Sequence, residues 1–263
     1  MGEKKNSVIK TIFKSKEIGI IAILIVLSIA IQIKNPIFLT YNNIVDVCRN
    51  TSYTLIIAIG MTFVLIAKGL DLSVGSLMAL GGLVASLAMT NGVPIILAVI
   101  LGIIVGAAFG VVNAFCIVKL NIPAMIASLG TMYMARGLVL IITKGSPVFP
   151  LPEAFSAFGK GFLIGLPYVV IIAIILSIIA HLILTKTTYG RKVYAIGGNP
   201  ETAKFAGINV AMVTASCYLI SGSLAALSGI LTAARMGSGQ PSIGDGTEMT
   251  VITAVIIGGT SLN

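Results

Sequence analysis

Long apolar runs alternate with short polar breaks along the chain. Seven of these runs hold between 16 and 25 residues: 18–33, 51–67, 72–89, 95–118, 122–142, 167–184 and 210–234. A helix that crosses a bilayer needs about 20 predominantly apolar residues. The pattern therefore predicts seven membrane-spanning helices. An eighth apolar segment, 247–257, holds only eleven residues and is too short to cross.

The polar segments between the runs differ in length and charge. Residues 1–17 form a basic N-terminal segment, and 37–50 is a mixed segment that we expect to lie at the membrane interface or to cap the bundle. Residues 143–166 form a long loop rich in Pro, Gly and Phe, and 185–209 is the longest basic stretch away from the N-terminus. We predict that all of them belong to one transmembrane domain, 1–263.

Composition indicates a membrane protein rather than a soluble one. Hydrophobic residues make up 57% of the 263 residues and charged residues only 10%, whereas a soluble domain carries about 25% charged residues. We therefore predict an all-α fold, a polytopic transmembrane helical bundle. The net charge of +9 comes from basic residues between apolar runs. Such a distribution indicates orientation and contact with lipid headgroups rather than nucleic-acid binding.

The distribution of Lys and Arg favours one orientation. With the N-terminus in the cytoplasm, eleven of them fall in inner segments and five in outer segments, while Arg136 lies inside a span. Cytoplasmic loops carry an excess of positive charge. We predict a cytoplasmic N-terminus and a cytoplasmic 185–209 segment. Arg136 is expected to snorkel or to pair with an acidic residue.

A charged break interrupts the apolar pattern between residues 60 and 82, which read GMTFVLIAKGLDLSVGSLMALGG. Charge between two apolar helices is costly in a bilayer unless it lines water, protein or a surface. The break at 68–71 is therefore either a tight turn between two spans or a broken helix beside a solute path. Asp71 caps the following helix, lines the path, or does both.

A second segment repeats the pattern of this break. Residues 69–82 (GLDLSVGSLMALGG) align without a gap with 246–259 (GTEMTVITAVIIGG). The predicted topology brings the two copies in from opposite faces, the arrangement of inverted-repeat transporters. Candidate residues of the solute path are Asp71, Ser73, Ser76, Asn113, Glu248 and Thr250. Because the second copy ends the chain, we expect the second half to be incomplete, as in a C-terminally truncated protein.

Asn113 lies in the middle of a span whose glycines share one face. Gly102, Gly106 and Gly110 are four residues apart, and glycines at this spacing allow helices to approach closely. Asn113 is therefore expected to form hydrogen bonds either with a neighbouring helix or with a polar solute.

Few side chains in the sequence suit catalysis or metal binding. The sequence contains no GxxxxGK[ST] phosphate loop, and His181 is its only histidine. Cys48, Cys116 and Cys217 lack CxxC spacing and are expected to be small packing residues. We predict no catalytic residues, no metal site and no cofactor.

Residues 199–207 carry the signals of a short helix within the predicted cytoplasmic segment. Asn199 suits the N-cap, Pro200 the first helical position and Glu201 the first turn. Gly207 suits the end of the helix. A helix this short needs a surface to lie on. That surface is either its own bundle or the membrane, or a docked soluble protein.

Four segments together resemble the permease subunit of a ribose-type ABC sugar importer: 60–76, 121–137 (NIPAMIASLGTMYMARG), 189–210 (YGRKVYAIGGNPETAKFAGINV) and 256–262 (IIGGTSL). The similarity covers the chain from about the first span to its end. The DLSVGS form at 71–76 favours sugars, because the related branched-chain amino-acid permeases do not share it.

The resemblance implies a type II ABC importer fold of roughly ten helices with inverted-repeat halves. It implies that two permease copies, identical or closely related, form one pore for a monosaccharide or sugar-like solute in a bacterial inner or plasma membrane. It also implies an extracytoplasmic sugar-binding protein and a separate ATPase subunit. The residues implied to couple to that ATPase are Gly197, Gly198, Asn199, Pro200, Glu201, Thr202, Ala203 and Gly207.

Two other functions are weighed against the importer. A stand-alone secondary transporter or channel for a small polar solute needs ion-coordinating or proton-relay groups in the membrane, and the spans are nearly bare of them. An integral membrane enzyme needs a catalytic constellation, and the sequence shows no paired carboxylates, histidine cluster or nucleophile elbow.

Overall fold

The computed structural model describes residues 16–260, so most of the predicted basic segment 1–17 lies outside the described residues. The helices are α1 (Lys16–Lys34), α2 (Tyr41–Ile66), α3 (Val74–Thr90), α4 (Ile95–Val118), α5 (Ala124–Thr143), α6 (Glu153–Lys160), α7 (Tyr168–Lys186), α8 (Thr188–Gly198), α9 (Pro200–Phe205), α10 (Val210–Met236) and α11 (Thr247–Ile257). A two-stranded antiparallel hairpin, β1 (Phe162–Leu163) and β2 (Leu166–Pro167), precedes α7.

The predicted all-α membrane fold is confirmed. Within residues 16–260, five helices are long and apolar enough to cross a membrane, namely α2, α4, α5, α7 and α10. The 17-residue α3 and the eleven-residue α11 are apolar but shorter. Each of the seven predicted spans corresponds to one helix, but in the described part of the chain only five of these helices reach the length and composition of a span.

Three connecting segments contain more regular structure than the sequence predicted. Residues 41–50 continue directly into the second predicted span, because α2 runs unbroken for 26 residues from Tyr41. No proline or glycine stands between Tyr41 and Asn50 to stop the helix. The loop 143–166 contains α6 and half of the hairpin, and 185–209 contains α8 in addition to the predicted short helix.

The described chain divides after Cys48 into two compact units. In the first, α1 is followed by turns in which the Gln32 side chain accepts from the Leu39 amide at 2.9 Å and donates to the Pro36 carbonyl at 3.3 Å. Most of the large apolar side chains of α1 from Ile23 onward are exposed. The single domain 1–263 therefore stays a prediction.

In the second unit, α3 is the most enclosed helix and forms the centre of the core. Thirteen of its 17 residues are buried, against six of 24 in α4 and three of 19 in α7. Leu77, Leu80 and Leu83 are at most 2% exposed. The outward faces of α4, α5 and α7 carry large exposed apolar side chains, as expected of surfaces that meet lipid or another membrane subunit.

The close helix approach predicted from the glycines of α4 is confirmed. A Cβ atom on Gly106 would lie 2.3 Å from the Gly222 carbonyl oxygen of α10, and one on Gly110 would lie 2.3 Å from the Tyr218 carbonyl oxygen. A Cβ on Gly102 would lie 2.6 Å from the Gly81 carbonyl oxygen of α3. The backbones of α3, α4 and α10 are therefore nearly in contact.

We expect Gly106→Ala to lower the free energy of unfolding by about 1–3 kcal/mol, because the added methyl group overpacks a backbone contact. Thermal unfolding in detergent, followed by circular dichroism, measures the effect. Gly137→Ala on α5 is the matched control, since a Cβ there meets no atom within 4 Å. Equal midpoints for the two variants would contradict the close contact.

Candidate functional site

The chain leaves helical geometry between α2 and α3, at residues 67–73, which we call the break segment. α2 ends at Ile66, and Lys68 then takes a left-handed backbone conformation with φ +58°. Asp71 contacts Ser221, the twelfth of the 27 residues of α10. Since α10 is long enough to cross a membrane, α3 begins partway along a spanning helix and not beside its end. This position matches a broken helix rather than a turn at the membrane face.

Asp71 is the centre of a buried polar network that joins the break segment to three helices. Its Oδ1 accepts from the Ser73 amide at 3.0 Å and from the Ser73 hydroxyl, and its Oδ2 accepts from the Ser221 hydroxyl at 2.8 Å. Asn113 of α4 donates to the Ser73 hydroxyl at 3.0 Å and to Asp71 at 3.4 Å. The Thr131 hydroxyl of α5 donates to the side-chain oxygen of Asn113, Oδ1, at 2.6 Å.

All five members of this Asp71 network are at most 3% exposed. A buried carboxylate is tolerated when hydrogen bonds replace those it made with water, and this one receives donors from both sides. The N-cap residue of α3 is Ser73 and not the predicted Asp71, and its side chain makes no capping hydrogen bond. Asp71 instead accepts the amide and the hydroxyl of Ser73 and so fixes the residue at which α3 begins. The sequence analysis expected Asn113 to bond either a neighbouring helix or a polar solute. In this structure its side chain donates to Asp71 and Ser73.

Ser76 and Glu248, which come from the two copies of the repeat, line one small polar cavity. The cavity has a volume of about 130 Å³, and its walls include Arg136 and Asp245. A Cβ on Gly75 would lie 2.6 Å from Glu248 Oε2, so the first turn of α3 touches this carboxylate. Thr250 does not line the cavity and is exposed.

Arg136 closes one side of this cavity, and its predicted pairing with an acidic residue is confirmed. Its Nη2 lies 2.7 Å from Asp245 Oδ1. Its Nη1 donates to the carbonyl oxygens of Pro241 at 2.8 Å and Ile243 at 3.2 Å. Arg136 therefore holds the loop between α10 and α11 against α5.

The short helix predicted in 185–209 is present as α9. Asn199 Oδ1 accepts from the amides of Glu201 at 2.9 Å and Thr202 at 3.0 Å, which is the predicted N-cap. Ala203 is buried on the inner side, whereas Phe205 is 91% exposed on the outer side. Gly207, with φ +81°, follows the end of the helix.

The residues before α9 lie against the break segment. A Cβ on Gly197 would lie only 1.8 Å from the Ile66 carbonyl oxygen. Lys68 Nζ donates to the Gly198 carbonyl oxygen at 3.1 Å. A cavity of about 770 Å³ opens beside these contacts, with Glu201, Lys204 and Tyr218 among its lining residues.

The sequence analysis did not identify Thr131, Ser221 and Tyr218 as residues of this site. Each lies in a mostly apolar helix, and no local pattern marks its partner. Tyr218 and Ser221 are 148 and 150 residues away from Leu70 and Asp71, the residues they contact. Among the described residues, no group of three His, Cys, Asp or Glu side chains is placed to hold a metal ion.

We expect Ser221→Ala to lower the free energy of unfolding by about 1–3 kcal/mol, since Asp71 Oδ2 loses its donor in a buried site. Ser223→Ala is the matched control on the same helix, because the Ser223 hydroxyl is exposed and donates only to the Leu219 carbonyl of its own helix. Chemical or thermal unfolding of the detergent-solubilised protein measures both. Indistinguishable stabilities would show that Asp71 does not depend on this hydrogen bond.

Comparison with known proteins places these features in a family. Residues 43–263 match the family described as branched-chain amino acid transport system / permease component. The ribose import permease protein RbsC of Haemophilus influenzae is 36% identical over 95% of this chain and 78% of its own length. RbsC of Bacillus subtilis is 39% identical over 91% and 75%, and the L-arabinose transport system permease protein AraH of Escherichia coli is 38% identical over 93% and 74%.

No solved structure matches the chain. The family match nevertheless covers both copies of the repeat, the Asp71 network and the α8–α9 segment. The relatives are transport permeases rather than enzymes. The chain is a multi-pass membrane protein and belongs to the ABC importer permease family described as branched-chain amino acid transport system / permease component.

Proposed function

We propose that this chain is the transmembrane subunit of an ABC importer and forms the path for a monosaccharide or sugar-like solute. The observation that carries the proposal is similarity over more than nine-tenths of the chain to permeases named for ribose and L-arabinose. The chain itself supplies the path and a docking surface. A separate ATPase subunit hydrolyses ATP.

The ATPase docks on α9 and its flanking residues. Glu201, Thr202 and Phe205 are exposed on the outer side of the capped helix, while Ala203 is buried on its inner side. A six-residue helix is too short to be stable on its own, so its fixed position comes from the bundle. A large exposed aromatic beside charged side chains is the kind of surface that a soluble partner covers.

The solute passes beside the polar cavity at the first turn of α3. Ser76 and Glu248 offer a hydroxyl and a carboxylate, the groups that exchange hydrogen bonds with sugar hydroxyls. The volume of about 130 Å³ holds part of a sugar and not a drug-sized ligand, which needs about 300–1,000 Å³. Asp71, Ser73 and Asn113 position the helices around the path, since each is fully buried and bonded within the protein.

The remaining partners follow from the exposed faces and the family. A second permease copy, identical or closely related, completes the pore. An extracytoplasmic sugar-binding protein delivers the solute on the face opposite α9. Lipid covers the other apolar faces in a bacterial inner or plasma membrane, with the N-terminus in the cytoplasm. No specific observation favours a stand-alone secondary transporter, because Asp71 and Arg136 are both engaged with protein groups.

The docking role is tested by Glu201→Lys in the complex reconstituted with its ATPase and binding protein. We expect weaker ATPase binding and at least about ten-fold slower solute uptake, because a reversed charge in the first turn of α9 opposes both the partner and the helix dipole. Glu153→Lys is the matched control, since Glu153 is an exposed acidic residue in the first turn of α6. Normal binding and uptake with Glu201→Lys would refute the docking role.

The solute path is tested by Glu248→Gln, which keeps the shape of the side chain and removes its charge. We expect uptake to fall about ten-fold or more, as for loss of a hydrogen bond to a charged group, with basal ATP hydrolysis unchanged. Uptake of radiolabelled ribose or arabinose into proteoliposomes measures the effect. Thr250→Val is the comparison variant, because Thr250 lies outside the cavity. If both variants transport at the wild-type rate, Glu248 does not contact the solute.

A further inference from the structure

The hydroxyl of Tyr218 holds the middle of the break segment from both sides. It accepts from the Leu70 amide at 3.3 Å and donates to the Leu70 carbonyl oxygen at 3.2 Å. Tyr218 is 1% exposed. A Cβ on Gly69 would lie 2.6 Å from the same hydroxyl oxygen. Because glycine has no side chain at this position, there is room for the Tyr218 hydroxyl.

Ser221 extends this contact by one residue along the break segment. It lies three residues after Tyr218 on α10 and therefore on the same helix face. Tyr218 bonds Leu70, and Ser221 bonds Asp71. Two side chains one turn apart on α10 thus fix two consecutive residues that have no helical hydrogen bonds of their own.

The other end of the break segment is fixed by the residues that precede α9. Gly197 packs directly on the Ile66 carbonyl, and Lys68 donates to the Gly198 carbonyl. Lys68 is held at φ +58°, a conformation that non-glycine residues adopt rarely and that persists only where the surroundings impose it. Only Gly69 and Leu70 therefore separate Lys68, which contacts the α8–α9 junction, from Asp71.

We propose that Tyr218 is a positioning residue that transmits a displacement of α9 through the break segment to the Asp71 network and the first turn of α3. This inference rests on the proposed function, because it assumes that an ATPase moves α9. The displaced segment carries Asp71 with it, and Asp71 fixes the start of α3. The first turn of α3 in turn touches Glu248 at the polar cavity.

The adjoining cavity of about 770 Å³ gives the break segment and α9 room to shift. Its lining includes Lys68 and Gly69 from the break segment, Glu201 and Lys204 from α9, and Tyr218 from α10. A side chain that only filled space would need the ring of Tyr218 but not its hydroxyl. The paired hydrogen bonds to Leu70 are therefore the feature that separates transmission from packing.

Tyr218→Phe tests the proposal in the full complex reconstituted with its ATPase and binding protein. We expect the complex to assemble and to keep its basal ATP hydrolysis, while solute-stimulated hydrolysis falls at least about five-fold and more ATP is used per solute imported. Tyr189→Phe is the matched control. It removes a tyrosine hydroxyl of α8 that bonds Ser216 and Cys217 of α10 rather than the break segment.

Hydrogen exchange of the peptide covering 67–73 provides a second measurement that does not depend on transport. Addition of the ATPase with ATP should change this exchange in the wild type and in Tyr189→Phe, but not in Tyr218→Phe. Wild-type coupling and exchange in Tyr218→Phe, or equal losses in both variants, would overturn the proposal. A wild-type protein that binds no ATPase at all would instead refute the proposed function, and the inference would fall with it.

Discussion

The structure depends on the burial of one carboxylate, that of Asp71. Removing a charged group from water is costly unless hydrogen bonds replace its hydration. Asp71 meets this condition only when the break segment, α4 and α10 are all in place, because Ser73, Asn113 and Ser221 come from these three elements. The carboxylate therefore selects one arrangement of elements that apolar packing alone would leave less well specified.

Close packing of the backbones makes this network possible. Serine, threonine and asparagine side chains are short, so they bridge helices only where the backbones nearly touch. Gly106 and Gly110 of α4 provide that approach to α10. Asn113 follows on the same face one turn later and reaches the break segment. Without the glycines, the polar groups would be buried too far apart to bond one another.

The fold connects the proposed docking surface with the proposed solute path. α9 is exposed on its outer side, and the cavity lined by Ser76 and Glu248 lies beside the first turn of α3. The break segment, held by Tyr218 and Ser221, connects them. A helix that starts inside the bundle can shift with such a segment, whereas an unbroken span would have to move as a whole.

The sequence by itself determined the helical membrane fold, the position of the break and the cap at Asn199, because apolar run length and capping residues act locally along the chain. For Arg136 it left snorkelling and pairing with an acidic residue open. Only the tertiary structure decided that Ser221, Thr131 and Tyr218 belong to the site. Their partners lie up to 150 residues away, and which helices face each other depends on backbone packing that no local pattern encodes.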